Sequence, residues 1–380
     1  MQHAAPLPIP WLTRLRMARD RLLGNSGFQR WAAAFPLTRP IARKRARALF
    51  DLVSGFVYSQ ILLACVRLNL FDILGRGPAS VDRLAAEMSL TPDATSRLLD
   101  AAASIGLVEK RGENEYGLGY LGASLAGNRA IAGLVEHHAM VYADLRDPVA
   151  LLRGTVGKTA TAEYWPYSAA EVPAELDDRR IAAYSDLMSI SQPLVAGEIL
   201  AAYPLNRHGC LLDLGGGDGT FLTAVAAHQP RLKMMLFDLP AVAARASQKI
   251  AAAGLACRIA VAGGDFLQDP LPTGADIISL VRIIHDHDDE RVLTILQAAR
   301  RALPAGGTLL IAEPLAGLPG SEAIGDAYFG FYLLAMGRGR ARTVAQLSGL
   351  LQATGFSAPK LHPTNLPMQT SVLSAIAVTA

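Results

Sequence analysis

The sequence predicts an α/β fold in which a mostly helical N-terminal region precedes a doubly wound parallel sheet. Three observations carry this. From residue 209 onward, short apolar runs alternate with helical stretches, the pattern of strands covered on both faces. The first of these runs leads into Gly215, Gly216, Gly217 and Gly219, residues suited to a turn that takes positive φ or lets a ligand approach the backbone. Upstream, residues 50–125 read as capped helices followed by two extended segments around a turn.

Bulk properties narrow the class. A chain of 380 residues with 51% hydrophobic and 18% charged residues is too apolar for disorder and long enough for about two domains. The longest uncharged apolar stretch, Leu52–Val66, has 15 residues, short of the roughly 20 that span a bilayer, so a soluble protein is expected. The opening MQHAAPLPIPWLTRL has no apolar signal core. Cys65, Cys210 and Cys257 form neither a metal spacing nor a disulfide framework, which fits a reducing cytoplasm.

Residues 1–49 form a basic arm. Ten Arg and Lys against Asp20 give residues 1–50 a charge of +9, leaving −6 for the remainder of a chain whose net charge is +3. Trp11, Leu15, Ala18 and Leu22 share a helical face beside arginines, as in helices that lie on lipid. The arm therefore fits an anionic partner, a lipid surface or nucleic acid; it also fits an arm that is simply solvated or packed on the acidic body.

Residues 50–130 are expected to form a winged-helix module. Phe50–Leu74 reads as one long apolar helix with more apolar faces than a small module covers, which predicts a homodimer. Ser80 caps VDRLAAEM, Thr91 with Pro92 caps the next helix, and Gly106 ends it. LVEKR, GEN and EYGLGYL then read as a hairpin. The last helix offers only Arg97 as a long cationic side chain, too little to read bases, so packing or dimerisation is expected rather than nucleic-acid binding.

Residues 131–205 are read as a helical linker and lid. Its loop, 154–175, carries Pro166 and Pro173. Residues 206–380 hold the sheet, with strands at 210–214, 233–238, 258–262, 275–281 and 307–313.

The glycine turn narrows the ligand. LLDLGGGDGTF has Thr220 where a dinucleotide site has its third glycine. Asp213 and Asp218 would repel a pyrophosphate but suit a cofactor bearing an ammonium and a sulfonium. Asp238 ends the second strand, where an acid can bind both ribose hydroxyls. Gly264-Asp265-Phe266 offers an acid and a ring suited to adenine. The alternatives are a glycine-rich turn with capping acids and a nicotinamide oxidoreductase, which lacks its third glycine here.

Taken together, DLGGGDG, FDLP, GDF, RIIHDHDDE and ALPAGGTLLIAEP resemble the S-adenosylmethionine-dependent small-molecule O-methyltransferases that carry an N-terminal winged-helix dimerisation domain. The resemblance covers residues 50–380. Within that family, residues 35–72 are similar to the hydroxyneurosporene (demethylspheroidene) methyltransferases of bacterial carotenoid synthesis. The resemblance implies a Rossmann-like methyltransferase sheet and S-adenosylmethionine held by Asp213, Gly215, Gly217, Asp238, Leu239, Asp265, Phe266 and Arg282. It also implies His285 as general base, with Asp286 and Glu313 orienting it. Imidazole suits proton removal near neutral pH. Family enzymes acting on phenols carry an acid in an E-R-T segment; here the segment is Ala341-Arg342-Thr343, which points to a different acceptor alcohol.

HDHDDE also invites a metal reading, but Asp288 and Asp289 stand where a helix begins and read better as its cap and first-turn acids. His287 stands where the family has Trp and reads as structural. Met140, Tyr142, Tyr164, Trp165, Tyr328, Phe329, Phe331, Tyr332 and Met336 favour a large hydrophobic acceptor, though such residues at helical spacing also build cores. The leading expectation is methylation of a tertiary alcohol on a hydroxylated carotenoid by a cytoplasmic homodimer, in peripheral contact with the inner membrane through the arm. A phenolic or polyketide acceptor is the alternative, and a winged-helix regulator with a retained ligand fold the reading from another class.

Overall fold

The computed structural model describes residues 10–164, 178–367 and 370–379, with backbone alone over 178–188 and at Ile190. The chain forms two compact units, Met1–Gly127 and Asn128–Ala380.

The first unit opens with α1 (Trp11–Gly24), α2 (Ser26–Ala34) and α3 (Arg39–Arg67). Asn25 caps α2 by accepting from the Phe28 N–H at 2.9 Å, and Pro40 sits in the first turn of α3. The α3 helix begins eleven residues before the expected Phe50, because Ala, Arg and Lys propagate a helix as readily as they solvate an arm. It ends before the expected Leu74: Asn69 takes the left-handed region at φ 53, and α4 (Leu70–Gly75) starts afresh. By length and composition α3 could cross a membrane, and little of its apolar stretch is buried within the chain.

Then come β1 (Ala79–Ser80), α5 (Val81–Met88), α6 (Pro92–Ser104), β2 (Val108–Lys110) and β3 (Glu115–Leu118). Ser80 and Thr91 cap α5 and α6. The strands pair antiparallel in the order β1-β3-β2. Leu70, Leu84, Leu99, Ala102 and Cys65 are fully buried at the centre of this unit.

The second unit begins with α7 (Arg129–Asp144), α8 (Pro148–Leu152), α9 (Ala160–Tyr164) and α10 (Asp178–Ala202). The expected lid overlaps 165–177, so Trp165, Pro166 and Pro173 lie outside the described residues. The sheet then alternates with helices: β4 (Cys210–Leu214), α11 (Thr220–His228), β5 (Lys233–Asp238), α12 (Pro240–Ala252), β6 (Ile259–Gly263), β7 (Ile277–Val281), α13 (Asp289–Ala302) and β8 (Thr308–Glu313). A π-helical turn, Ala323–Tyr328, runs into α14 (Phe329–Met336), followed by α15 (Val344–Ala353), β9 (Lys360–His362) and β10 (Ser371–Ile376).

Strand order is β6-β5-β4-β7-β8-β10-β9. The first five are parallel, and β10 lies antiparallel between β8 and β9. Chain direction across the sheet reverses between β4 and β7, which opens a crevice at their carboxyl ends. Two apolar clusters hold the sheet. One packs α13 and α15 on it, and the other packs α10, α11 and α12.

Candidate active site

The glycine turn follows β4. Gly215, Gly217 and Gly219 all take positive φ (66°, 59° and 82°), conformations that glycine adopts without a Cβ penalty. At Gly217 nothing lies within 4 Å of where a Cβ would stand, so its backbone borders open space. Gly216 is wedged between Leu236 and Asp213.

Two buried carboxylates stand beside this turn. Asp213, on β4, accepts from Ser279 Oγ at 2.6 Å. Burial raises its pKa to about 7 against that hydrogen bond, and the neighbouring Asp238 charge adds to the rise. Asp238, ending β5, accepts from the N–H groups of Gly217 at 2.8 Å and Leu239 at 2.7 Å. Burial raises it to about 6 despite them. Among the described residues no cation is paired with either carboxylate in the contacts above, and desolvated carboxylates of this kind fit a cofactor that brings positive charge. Asp218 does not match its expected role. It is taken up by Ser189, by Lys249 at 2.5 Å and by Thr220 at 2.6 Å, which hold it below the usual carboxylate range against its burial. It closes the turn against α12 and is not a free acid for an ammonium group.

Past β6, Asp265 accepts from the Leu267 N–H at 2.9 Å. The Phe266 ring stands 5.8 Å from His287, edge to face, and near Gly215. Arg282, just past β7, is held at φ 60 with Nη1 donating to Ser191 Oγ of α10 at 2.8 Å. Positive φ in a non-glycine residue is uncommon and clusters at functional sites.

The catalytic candidates meet at the ends of β7 and β8. His285 sits in a single 3₁₀ turn, Ile284–Asp286, and Glu313 ends β8. The His285 N–H donates to Glu313 Oε2 at 3.0 Å. Its ring lies between carboxylates, with Nδ1 3.3 Å from Glu313 Oε2 and Nε2 3.1 Å from Asp286 Oδ1. Among the described residues, His285 Nδ1, Asp286 Oδ1 and Glu313 Oε1 are buried without a well-aligned hydrogen bond, so the acids act on the ring chiefly through their charge and close approach. Burial alone would lower the His285 pKa, but Asp286 and then Glu313 outweigh it and raise it to about 9.

The other members of HDHDDE scatter. Asp288 caps α13 through the Arg291 N–H at 3.0 Å, and Asp289 pairs with Arg340 and Arg342. His287 faces Phe266, and burial lowers its pKa. Among the described residues no group of three His, Cys, Asp or Glu side chains could hold a metal ion.

Of the aromatic candidates, Phe329 stands 5.7 Å from His285, edge to face. Tyr328, Tyr332, Met336 and Tyr164 pack with it around Val141. Phe331 is exposed, Met140 half-buried, and Tyr142 meets His138 edge to face. Two residues absent from the expected set join them: His137 Nε2 lies 2.6 Å from Tyr332 Oη, and His138 Nε2 lies 2.8 Å from Tyr328 Oη. Burial lowers the His137 pKa to about 4 and raises that of Tyr328 to about 12, so both stay neutral. The available signal was the adjacent histidines on α7 facing tyrosines four apart.

Residues 142–357 match the O-methyltransferase domain family, and residues 50–127 the O-methyltransferase dimerisation domain. The chain is 41% identical to demethylspheroidene O-methyltransferase of Cereibacter sphaeroides over 356 residues, covering 94% of this chain and 93% of that protein. It is 38% identical to the Rhodobacter capsulatus protein of the same name, covering 90% of this chain and 84% of that one. Among solved structures, human N-acetylserotonin methyltransferase in complex with SAM aligns with TM-score 0.73 and 25% identity, covering 88% of this chain and 98% of that one.

Proposed function

The chain belongs to the S-adenosylmethionine-dependent O-methyltransferase family, and from that membership we propose that it methylates a tertiary hydroxyl of a hydroxylated carotenoid. The observation that carries the substrate is the likeness to two demethylspheroidene O-methyltransferases, each over at least nine tenths of the chain. The apolar cluster around Phe329, Tyr332 and Met336 beside His285 suits such an acceptor.

Asp238 and Leu239, Asp213, Arg282 and the backbone of Gly215 and Gly217 would hold the cofactor, with Asp265 and Phe266 at its adenosine end. When bound, S-adenosylmethionine supplies an electrophilic methyl on a positively charged sulfur. His285 takes the proton from the acceptor hydroxyl. Asp286 and Glu313 keep the resulting imidazolium between two negative charges and fix the ring for the next turnover. Most of the rate comes from alignment in a site closed to water, with proton removal adding about 10²–10⁴-fold.

The chain pairs with a second copy through residues 50–127, the dimerisation match. The segment before it faces a membrane. Trp11, Leu15, Leu22, Trp31 and Leu37 are exposed among arginines and precede residue 50, where the dimerisation match starts. The C. sphaeroides alignment leaves only 6% of the chain uncovered, so it reaches into this arm. A linear carotenoid resides in the bilayer, and anionic lipid attracts about 1 kcal/mol per nearby Lys or Arg.

Labelled S-adenosylmethionine with a panel of hydroxylated carotenoids and phenols, followed by product mass, tests the substrate. A labelled phenol with every carotenoid untouched would overturn it. Removing residues 1–45 should abolish salt-sensitive binding to anionic vesicles and slow turnover of vesicle-borne carotenoid, while a short soluble alcohol is still methylated. Equal turnover of vesicle-borne substrate would remove the membrane role.

A further inference from the structure

We propose that Arg342 is the positioning residue of the catalytic turn, fixing the main chain of residues 284–287 so that the His285 ring stays between its two carboxylates. This rests on His285 being the base.

Arg342 is 0% exposed and is the largest fully buried side chain among the described residues. Its Nη1 donates to the Ile284 carbonyl at 2.9 Å, its Nη2 to the His287 carbonyl at 2.7 Å, and its Nε to Asp289 Oδ1 at 2.9 Å. One rigid, planar fork thus ties the carbonyls on either side of His285-Asp286. The segment bearing it tightens the hold. The Arg340 N–H donates to the carbonyl of His285 itself at 2.8 Å, and the Arg340 guanidinium pairs with Asp289 Oδ2. Between α14 and this strap, Gly339 turns at φ 79, and a Cβ there would strike the His285 carbonyl and the Asp286 backbone.

Burying a guanidinium costs several kcal/mol unless its donors are met; a segment that had only to cover apolar surface would do so with an apolar side chain. Here every paired donor reaches the turn or the acid that follows it. Ala341 brings no carboxylate from the strap, so the strap acts on the base through the main chain. The ring needs this support because its contacts to Glu313 and Asp286 are long, at 3.3 and 3.1 Å, and Nδ1 and Asp286 Oδ1 lack a well-aligned hydrogen bond, so the main chain decides whether the ring stays between the two acids.

The test uses the full-length protein. Arg342→Ala and Arg342→Lys are compared with Arg300→Ala, which also removes an arginine bonded to carbonyls, those of Gly355 and Val378, away from the turn. Cofactor affinity by calorimetry, melting temperature, kcat, KM for the acceptor, and the pH–rate profile are measured for each. For Arg342→Ala the expected result is a kcat loss of about 30- to 100-fold, the scale of a misplacement near 1 Å. KM and cofactor affinity should hold within about threefold. Millimolar guanidinium should restore turnover at least tenfold in Arg342→Ala and not at all in Arg300→Ala. The alkaline-rising limb should move to lower pH as the ring leaves its carboxylates.

Arg342→Ala that melts like Arg300→Ala yet keeps kcat within twofold overturns the role, as does loss without rescue and without a moved limb. Should the Arg342 variants not fold, Asp289→Asn serves, since that side chain is 45% exposed: a three- to tenfold kcat loss in a folded protein is expected, and full turnover overturns the role. His285→Ala beside them reports on the base alone. Turnover retained there removes the premise, whereas collapse there with unaffected Arg342 variants overturns only the positioning.

Discussion

Replacing Asp286 by Asn should move the pH–rate limb of the reaction toward acid. The His285 ring stands 3.1 Å from Asp286 and 3.3 Å from Glu313, and they hold it at about 9 against the lowering effect of burial. A base must be neutral to take a proton, and at pH 7 a ring with that pKa is neutral in about 1% of molecules. The acceptor kcat/KM should therefore rise about tenfold per pH unit from pH 6.5 and level off near 9. Asp286→Asn removes the larger of the two raising charges. An opposite charge at this range moves a pKa by about 1–3 units, so the limb should shift down by that much, and the variant should outpace the parent near pH 6.5. Stability runs the other way. A histidine whose folded pKa is raised contributes stability that is whole below pH 6.5 and fades as pH rises through about 9, on the order of 3 kcal/mol. Activity and stability thus trade against each other across the same window. Initial rates with melting temperatures from pH 6 to 10, for both proteins, check this. A flat profile in the parent, or an unmoved limb in Asp286→Asn, would refute the reasoning.

Cofactor binding should release about one proton at pH 6.5, because Asp213 and Asp238 start near 7 and 6 and a cation lowers both; calorimetry in buffers of different ionisation heat measures it, and no buffer dependence would count against the assigned site. Asp238→Ala should weaken cofactor affinity at least tenfold, since it removes charge-assisted hydrogen bonds to the ribose and two that hold the loop; calorimetry reads this directly. Phe56→Glu, at a position 70% exposed on α3, should give a monomer by light scattering without lowering the helix content. Leu99→Ala, in the fully buried centre of the first unit, should cost about 2–5 kcal/mol, seen as a lower denaturant midpoint.

How much of this was legible varies with range. The five parallel strands lie near where the apolar runs put them, since strands covered on both faces write themselves as continuous Val, Ile and Leu. The β9–β10 pair escaped because Lys360–His362 is a three-residue edge and Ser371–Ile376 is interrupted by serines at 371 and 374. The start of α3 escaped because a run of Arg and Lys suits a solvated arm as well as a helix. At the site, residues at strand ends could be found because topology places them. Pairings across 31 residues for Lys249 with Asp218, or 58 for Arg342 with Ile284, leave no local trace. The same holds for Asp218: its carboxylate looked available only because the lysine that claims it lies on the next helix but one strand away in sequence.

The position of β10 bears on how the protein is made. Glu313 ends a strand whose outer neighbour is the latest strand in chain order, with Ser371 opposite Glu313 itself. While the ribosome is still adding the residues in between, at about 5–20 per second, β8 exposes an unpaired edge and the carboxylate beside His285 sits at the margin of an unfinished sheet. A message cut short anywhere before that strand should therefore yield an inert chain with a sticky edge, a substrate for proteolysis rather than a slow enzyme. Cells expressing nested truncations should show methyl transfer switching on abruptly when this strand is included, with no graded series before it.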